Sequence, residues 1–409
     1  MTTKKSRAIG ILTVCLAVAF SAAQADSLNC RLVGQYAGLD SAYRVKVAGD
    51  YAYVGDESDG LRIIDVSDPQ NPQEVGYYDS PGRACGVAIS GNYAYLADWS
   101  AGLRVIDVSD PHSPQEVGFC STPSSTPAVA VAGNYAYVAD RDFGLRVIDV
   151  SNPQTPQEVG YRDTPSWALD VAVEGSYSYV AAYDSGLRVI DVSKPLDPQE
   201  VGCYNAPGPA LGVAVVGRYA YVAARYAGLR VVDVSNPQDP QEVGFCDTPG
   251  RAGGVAVAEN YCYVADYDSG LRVVNVSNPQ APEEVGHYDT PHYAYGVAAV
   301  GNDAYVANWT FGLQIIEFYG TGVEEVPNAE VRATNSATVV RGVLLLAGDR
   351  RPGTGDRAAL LDIAGRKVLN LRSGPNDVSG IAPGVYFVRS EPSAFRREPS
   401  AVTKVVVTR

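Results

Sequence analysis

Short apolar runs alternate with turn-forming residues along most of the chain, and between residues 31 and 318 no stretch carries the spacing of an amphipathic helix. Residues 86–120 show the pattern. Gly86–Ser90, Tyr93–Ala97, residues 102–108 and Gln115–Cys120 are rich in β-branched, aromatic or small apolar residues and predict four strands, here called a to d. Gly91-Asn92 separates a from b, the acidic stretch 98–101 separates b from c, and the proline-bearing stretch 109–114 separates c from d. Strand c is apolar on both faces through Leu103, Val105, Ile106 and Val108, so it is expected to be covered on both sides. Strand a uses small residues such as Gly86 and Ala88, which suits a place where sheets converge.

This unit recurs at an unbroken period of 42 residues, with the glycine that opens strand c at Gly60, Gly102, Gly144, Gly186, Gly228, Gly270 and Gly312. One small sheet cannot bury both of its faces alone. Seven equal units therefore predict a closed ring, an all-β, seven-bladed β-propeller of four-stranded blades. After Phe318 the expected strand d is missing, and Leu32-Val33-Gly34-Gln35-Tyr36 matches Glu74-Val75-Gly76-Tyr77-Tyr78 at the same offset. The N-terminal stretch is expected to supply strand d of the last blade, covering an edge that would otherwise stay open.

The second position of strand c is Arg62, Arg104, Arg146, Arg188, Arg230 and Arg272, with Gln314 in the last unit. Asp65, Asp107, Asp149, Asp191 and Asp233 follow three residues later, then Asn275 and Glu317. A catalytic site needs one differentiated place, so this repetition reads as structural: aspartate caps the Ser-x-Pro loop and arginine pairs across a blade boundary. The units resemble the LVIVD repeats of exported bacterial propeller proteins, seen here as Leu103-Arg104-Val105-Ile106-Asp107 and covering about residues 31–318. The resemblance implies the propeller fold and, for function, a surface or secreted binding module.

In a propeller the b–c turns and d–a loops open on one face, and the a–b and c–d loops on the other. The c–d loops are nearly invariant here, as Ser-Asp/Asn-Pro-x-x-Pro-Gln-Glu, whereas the first set varies strongly, as a specific binding surface requires. The candidate ligand-binding residues are Trp99, Arg141, Tyr183, Arg225, Tyr267 and Trp309 in the b–c turns, with Trp167, Arg251 and Tyr293 in the d–a loops. Tyr43 and Tyr295 sit two residues beyond the last of these positions in their units. Aromatics interleaved with arginine can stack on sugar rings, grip a peptide or fill a protein interface; the alternative is that they shield turn backbone. Arg44 and Asp170 replace the Gly or Ala that opens strand a elsewhere. They mark a channel mouth for a small polar ligand, or else pair with neighbours.

Catalytic and metal signatures are sparse. The chain has no GxSxG elbow, HExxH helix or glycine-rich phosphate loop, and only three histidines, so no catalytic residue and no cofactor is expected. His287 and His292 lack a fixed third ligand. The acidic turns Asp140-Arg141-Asp142-Phe143-Gly144 and Asp266-Tyr267-Asp268-Ser269-Gly270 lack the rest of a calcium loop and are read as structural, with weak calcium binding as the alternative.

Residues 1–25 read as a signal peptide: Lys4, Lys5 and Arg7 precede an apolar run over 9–20, and Ala23-Gln24-Ala25 is a small-x-small cleavage site. No later run is long enough for a transmembrane helix. Residues 26–329 hold 16 Lys or Arg against 39 Asp or Glu, while residues 330–409 hold 13 against 7. An acidic ring repels phosphate backbones, so nucleic acid is not an expected partner. Six cysteines follow the signal peptide and none recurs at the repeat period, leaving free thiols and up to three disulfides both open.

The 42-residue period ends near residue 319. The expected divisions are a propeller over 26–319, a linker over 320–329 and a C-terminal domain over 330–409. Short strands are predicted at 333–340, Val343–Leu346, 359–362, Lys367–Leu371, Gly384–Ser390 and Val402–Val407, making a small antiparallel β-sandwich. Residues 361–368, 376–379, 382–388 and 403–409 resemble the sorting domains of type IX secretion cargo and the immunoglobulin-like domain of flagellar hook capping proteins. That resemblance implies contact with secretion machinery and release from, or attachment to, the outer-membrane surface. Asn335-Ser336-Ala337 departs from the usual asparagine-proline start. The expected function is an exported, non-catalytic binding or scaffold protein presenting its variable face to a glycan, peptide or protein. A purely architectural envelope or matrix component, or a carboxylate-based polysaccharide hydrolase or lyase, is the alternative.

Overall fold

The computed structural model describes residues 27–320 and seven strands between Thr338 and Val407. Within 27–320, four-stranded antiparallel sheets repeat in the order a-b-c-d. Blade 1 comprises Ala42–Ala48, Tyr51–Asp56, Gly60–Asp65 and Gln73–Tyr78. Blade 2 comprises Gly86–Ser90, Tyr93–Ala97, Leu103–Asp107 and Gln115–Cys120, within one residue of the sequence expectation at every boundary. Blades 3 to 6 open their strand a at Ala128, Asp170, Gly212 and Gly254. Blade 7 has Gly296–Val300, Asp303–Ala307 and Leu313–Phe318 from its own unit.

The N-terminal strand Cys30–Tyr36 completes blade 7, pairing antiparallel with Leu313–Phe318 from Cys30↔Phe318 to Tyr36↔Leu313. Across this seam Arg31 Nη2 lies 2.6 Å from Glu317. The preceding two residues do something the periodicity does not announce: Ser27–Leu28 adds a fifth strand to blade 6, along Glu283–Tyr288. The crossing falls at Asn29, whose φ of 54° suits a short polar side chain. Its amide donates to the Val285 carbonyl of blade 6 and its carbonyl accepts from Tyr319 N after blade 7.

Seven hydrophobic clusters hold the ring, one at each blade junction. Tyr53, Leu61 and Ile63 of blade 1, for example, meet Leu96, Ile106 and Val108 of blade 2. Strand c is buried on both faces because a blade lies on either side of it. The closing junction is built alike, with Val33, Tyr36, Leu313 and Ile315 against Val54 and Ile64.

Two close approaches explain the invariant parts of the repeat. Each strand d carries a bulge before its glycine, and in every blade but the sixth, where Gly286 meets Phe318 and the Leu28 carbonyl, the proline carbonyl of the next blade's c–d loop packs where a Cβ would be. A methyl on Gly76 would lie 2.0 Å from the Pro111 oxygen, and one on Gly34 would lie 2.0 Å from that of Pro69. At the hub, a methyl on Gly86 or Gly296 would come within 3 Å of the backbone of the next strand a, so small residues are required there. Tyrosines at the end of strand d add polar ties between blades: Tyr36 donates to Glu74 at 3.1 Å, Tyr78 to Glu116 and Tyr204 to Glu242.

In the C-terminal part, Gly384–Ser390 pairs antiparallel with Val402–Val407 and with Ala358–Leu361, which in turn pairs with Lys367–Leu371. Thr338–Val340 joins Val402–Val407 in parallel, a departure from the expected all-antiparallel arrangement. A further strand, Gly374–Asp377, pairs with Val343–Leu346. The signal peptide, residues 321–329 of the linker and the residue 335–337 departure lie outside the described residues. No described helix is long and apolar enough to cross a membrane.

Candidate functional site

In blades 2 to 7 the b–c turn is tied by backbone to the d–a loop that follows it in the ring, and in blade 1 Glu57 N donates to Ser41 O of the loop before it. Trp99 O accepts from Thr126 N at 3.0 Å, Arg141 O from Ala168 N at 2.9 Å, and Tyr183 O from Ala210 N at 2.9 Å; Arg225, Tyr267 and Trp309 repeat the bond to Ala252, Ala294 and Ala42. The varying segments therefore share one face. Trp99, Tyr183, Arg225, Tyr267 and Trp309 all have φ between 40° and 49°. Glycine would hold that backbone more cheaply, by roughly 1 kcal/mol per position, yet the chain places its bulkiest residues there.

Those side chains form a ladder around the face. Arg83 lies over Trp99 at 5.4 Å from the ring centroid; Arg141 lies 5.9 Å from Trp99 and 4.0 Å from Trp167. Trp167 meets Tyr183 at 5.3 Å, and Arg225 donates to the Tyr183 hydroxyl at 3.1 Å while covering Tyr226 at 4.7 Å. On the other side Arg251 lies over Tyr267 at 4.7 Å and near Tyr293 at 5.5 Å. Tyr295 then links Tyr267, Trp309 and Tyr43 at 4.7, 4.8 and 5.0 Å. Burial pushes the Tyr295 hydroxyl up to about 12. All nine candidate ligand residues thus fall in this ladder. Its faces are largely engaged: a ring with a guanidinium at 4.0 Å cannot offer that side to a sugar. What the sector between Trp99 and Tyr226 presents is N–H donors. Arg83 is paired with Glu57 at 2.5 Å and Arg251 with Asp268 at 3.5 Å, but Arg141 and Arg225 have no carboxylate partner among the described residues.

Arg44 and Asp170, on blades 1 and 4, meet across the hub. Arg44 Nη1 donates to Asp170 Oδ1 at 2.7 Å and Nη2 to the Leu169 carbonyl at 3.3 Å. The carboxylate also accepts from Val171 N and Val213 N, both at 3.0 Å. Burial works against the Arg44 charge, but the facing carboxylate outweighs it and the guanidinium pKa is raised. The two residues are partners, so the mouth they mark is bridged.

The repeated acids and arginines are structural, with one correction. Asp65, Asp107, Asp149, Asp191 and Asp233 each accept from the backbone N–H two residues on, within 2.8–2.9 Å, as expected. The arginines do not cross a blade boundary. Arg146 lies 3.7 Å from Glu158 and 3.2 Å from Asp163 in its own blade, with its guanidinium over Tyr161 on strand d. Strand c and strand d are simply nearer than the next blade, and the tyrosine–glutamate bonds make the crossing instead.

The acidic turns point inward. Asp266 accepts from Thr248 Oγ1 at 2.7 Å and Gly250 N at 2.8 Å; Asp140 accepts from Ser124 N at 3.2 Å. Both are fully buried, and burial pushes each carboxyl up to about 6. Asp268 is turned to Arg251 instead. The described residues contain no cluster that could hold a metal ion. All six described cysteines are free; Cys30, Cys85 and Cys262 are buried, and burial raises their thiol pKa values. His292 packs against Tyr293 and Phe311. Sequence reasoning passed over Tyr226, which is 67% exposed, and Lys46, which stands where strand a of the other six blades carries alanine at the 42-residue offset. Comparison of the units at the 42-residue offset reveals Lys46.

Solved structures share the fold at low identity. The designed protein Ika8 matches with a TM-score of 0.55 at 11% identity, covering 70% of this chain and 99% of that one. The Cps50 (Swd1) β-propeller domain of Myceliophteria thermophila matches with a TM-score of 0.59 at 13% identity, over 70% and 99%. The WD40 β-propeller domain of Doa1 matches with a TM-score of 0.58 at 12% identity, over 71% and 97%. No curated protein sequence matches the chain. The LVIVD repeat family model matches seven times, over residues 40–80, 81–122, 124–164, 167–206, 207–248, 249–290 and 291–317. With most of its length so matched, the chain belongs to the LVIVD repeat family.

Proposed function

We propose that the protein is an exported, non-catalytic binding module whose variable face takes a carboxylate-bearing polypeptide segment. The observation that carries this is the pair of guanidinium groups, Arg141 and Arg225, held in a ladder with Trp99, Trp167, Tyr183 and Tyr226 and left without acidic partners. Bidentate donors fixed by stacking lose little entropy on meeting a carboxylate. The backbone strain beneath Trp99, Tyr183 and Arg225 supports a selected surface. Stacking on flat sugar faces fits less well, because Arg141 already covers Trp167. Export rests on Lys4, Lys5 and Arg7 ahead of the apolar run 9–20, and delivery to the outer-membrane surface on the C-terminal resemblance to sorting domains.

Peptide arrays carrying single and paired Asp or Glu, with Asn and Gln counterparts, test the reading on the purified chain. Acid-selective binding that falls at least tenfold in Arg141→Gln and in Arg225→Gln supports it, each lost charged contact being worth about 1.5–3 kcal/mol. Binding insensitive to both variants, or no acid-selective signal, removes it. The self-stacking of the rings favours one second reading, a purely architectural module in which the ladder stiffens the face. An unbound chain whose loop order and stability depend on the ladder, with no binder found, would select that.

A further inference from the structure

Below the Arg44–Asp170 bridge the hub forms a solvent-open channel of about 450 Å³, lined by the seven strands a, with Lys46 exposed within it. Each strand a is the inner edge of its sheet, bonded only to strand b, so alternate N–H and C=O groups turn to the channel. Val171 and Val213 show the direction, since their amides donate to the Asp170 carboxylate. Val45, Val87, Val129, Val255 and Val297 hold the same register against their strands b. Asp170 is thus an internal example of a carboxylate held by hub amides and a guanidinium. The charged residues lining the cavity are Arg44, Lys46 and Asp170, a net of one positive charge inside a strongly acidic ring. With Arg44 and Asp170 spent on each other, the Lys46 ammonium is the open charge. It has no ion-pair or hydrogen-bond partner among the described residues, and the other six blades carry alanine there.

We infer that the channel is a binding site for a small hydroxylated monocarboxylate, held by the Lys46 ammonium and by inner-edge amides of the neighbouring blades. The carboxylate takes the ammonium and amide donors, and the hydroxyls match the alternating N–H and C=O groups of the strand edges. The volume suits one small molecule. The site is independent of the variable face.

Isothermal titration of the full chain with glucuronate and gluconate, against neutral glucose, tests the site. Both acids should bind and glucose should not. Lys46→Ala, which installs the residue of the other six blades, should weaken the acids about tenfold or more, while Lys194→Ala on an exposed c–d loop should leave them unchanged. No heat with either acid at millimolar concentration, equal binding of glucose, or acid binding undiminished in Lys46→Ala would overturn the assignment. Retained Trp fluorescence and an unchanged melting profile in Lys46→Ala show that a loss is not unfolding.

Discussion

Replacing Arg44 by alanine should cost more than removing both members of its pair. Ala128 holds the same register in blade 3, so the backbone tolerates the change. The Asp170 side chain is 9% exposed and that of Arg44 is 23% exposed. Arg44→Ala strands a buried carboxylate that keeps two amide donors, so a cost of about 2–3 kcal/mol is expected, below the 3–5 kcal/mol of a fully orphaned charge. Asp170→Ala removes the acceptor of two amides and of the guanidinium and should cost about 2 kcal/mol. The double variant leaves no unpaired charge and should cost only about 1–2 kcal/mol, a coupling of about 3 kcal/mol. All three tryptophans of the chain, Trp99, Trp167 and Trp309, lie in the ring, so urea unfolding followed by tryptophan fluorescence reads the ring alone. Additive single costs, with coupling under about 0.5 kcal/mol, would show that the bridge across the hub does not form.

Other outcomes follow from single positions. Glu259 takes the a–b turn conformation, at φ 52°, that six glycines take in the other blades, so Glu259→Gly should raise stability by about 0.5–1 kcal/mol in the same urea assay. Gly34→Ala should destabilise the ring by about 2–4 kcal/mol, because the new methyl meets the Pro69 carbonyl; a neutral effect would mean that the N-terminal strand is not seated. Asp140 and Asp266, raised to about 6 by burial, contribute stability that is complete below about pH 4 and lost as pH rises through 6, about 3 kcal/mol each at most. Stability should therefore increase between pH 7.5 and pH 5 by roughly half of that contribution, about 1.4 kcal/mol each, and the Asp140→Asn, Asp266→Asn pair should flatten the slope over this interval. The capping aspartates run the other way: Asp233 is lowered to about 2 by Arg218 and Ser235, so their contribution fails only in stronger acid.

Much of the ring was legible because a repeat writes the same local contacts seven times. Strand boundaries, the hub's small residues, the Ser-x-Pro caps and the match of residues 32–36 to 74–78 all follow from spacing alone. Contacts without a period were not. Ser27–Leu28 on blade 6 lies before the first unit and has no counterpart at the offset. The Arg44–Asp170 bridge joins residues three units apart, so each looks like an isolated exception until the ring closes. The candidate face shows in the sequence as variability and as aromatics interleaved with arginine, and only geometry shows that Arg141 and Trp167 cover each other. The partner of Arg146 was misplaced, since distance between adjacent strands is not visible in a 42-residue period.

Everything from the sharing of one face by the turns to the enclosure of the channel depends on the ring being shut by Cys30–Tyr36. Hydrogen exchange of the amides over residues 31–36, read against those of Leu313–Phe318, probes that seam. Protection of the two stretches to the same degree, lost together on unfolding, is expected. Exchange of 31–36 at the rate of an unstructured tail, with 313–318 still protected, would mean an open ring and would take the shared face and the channel site with it.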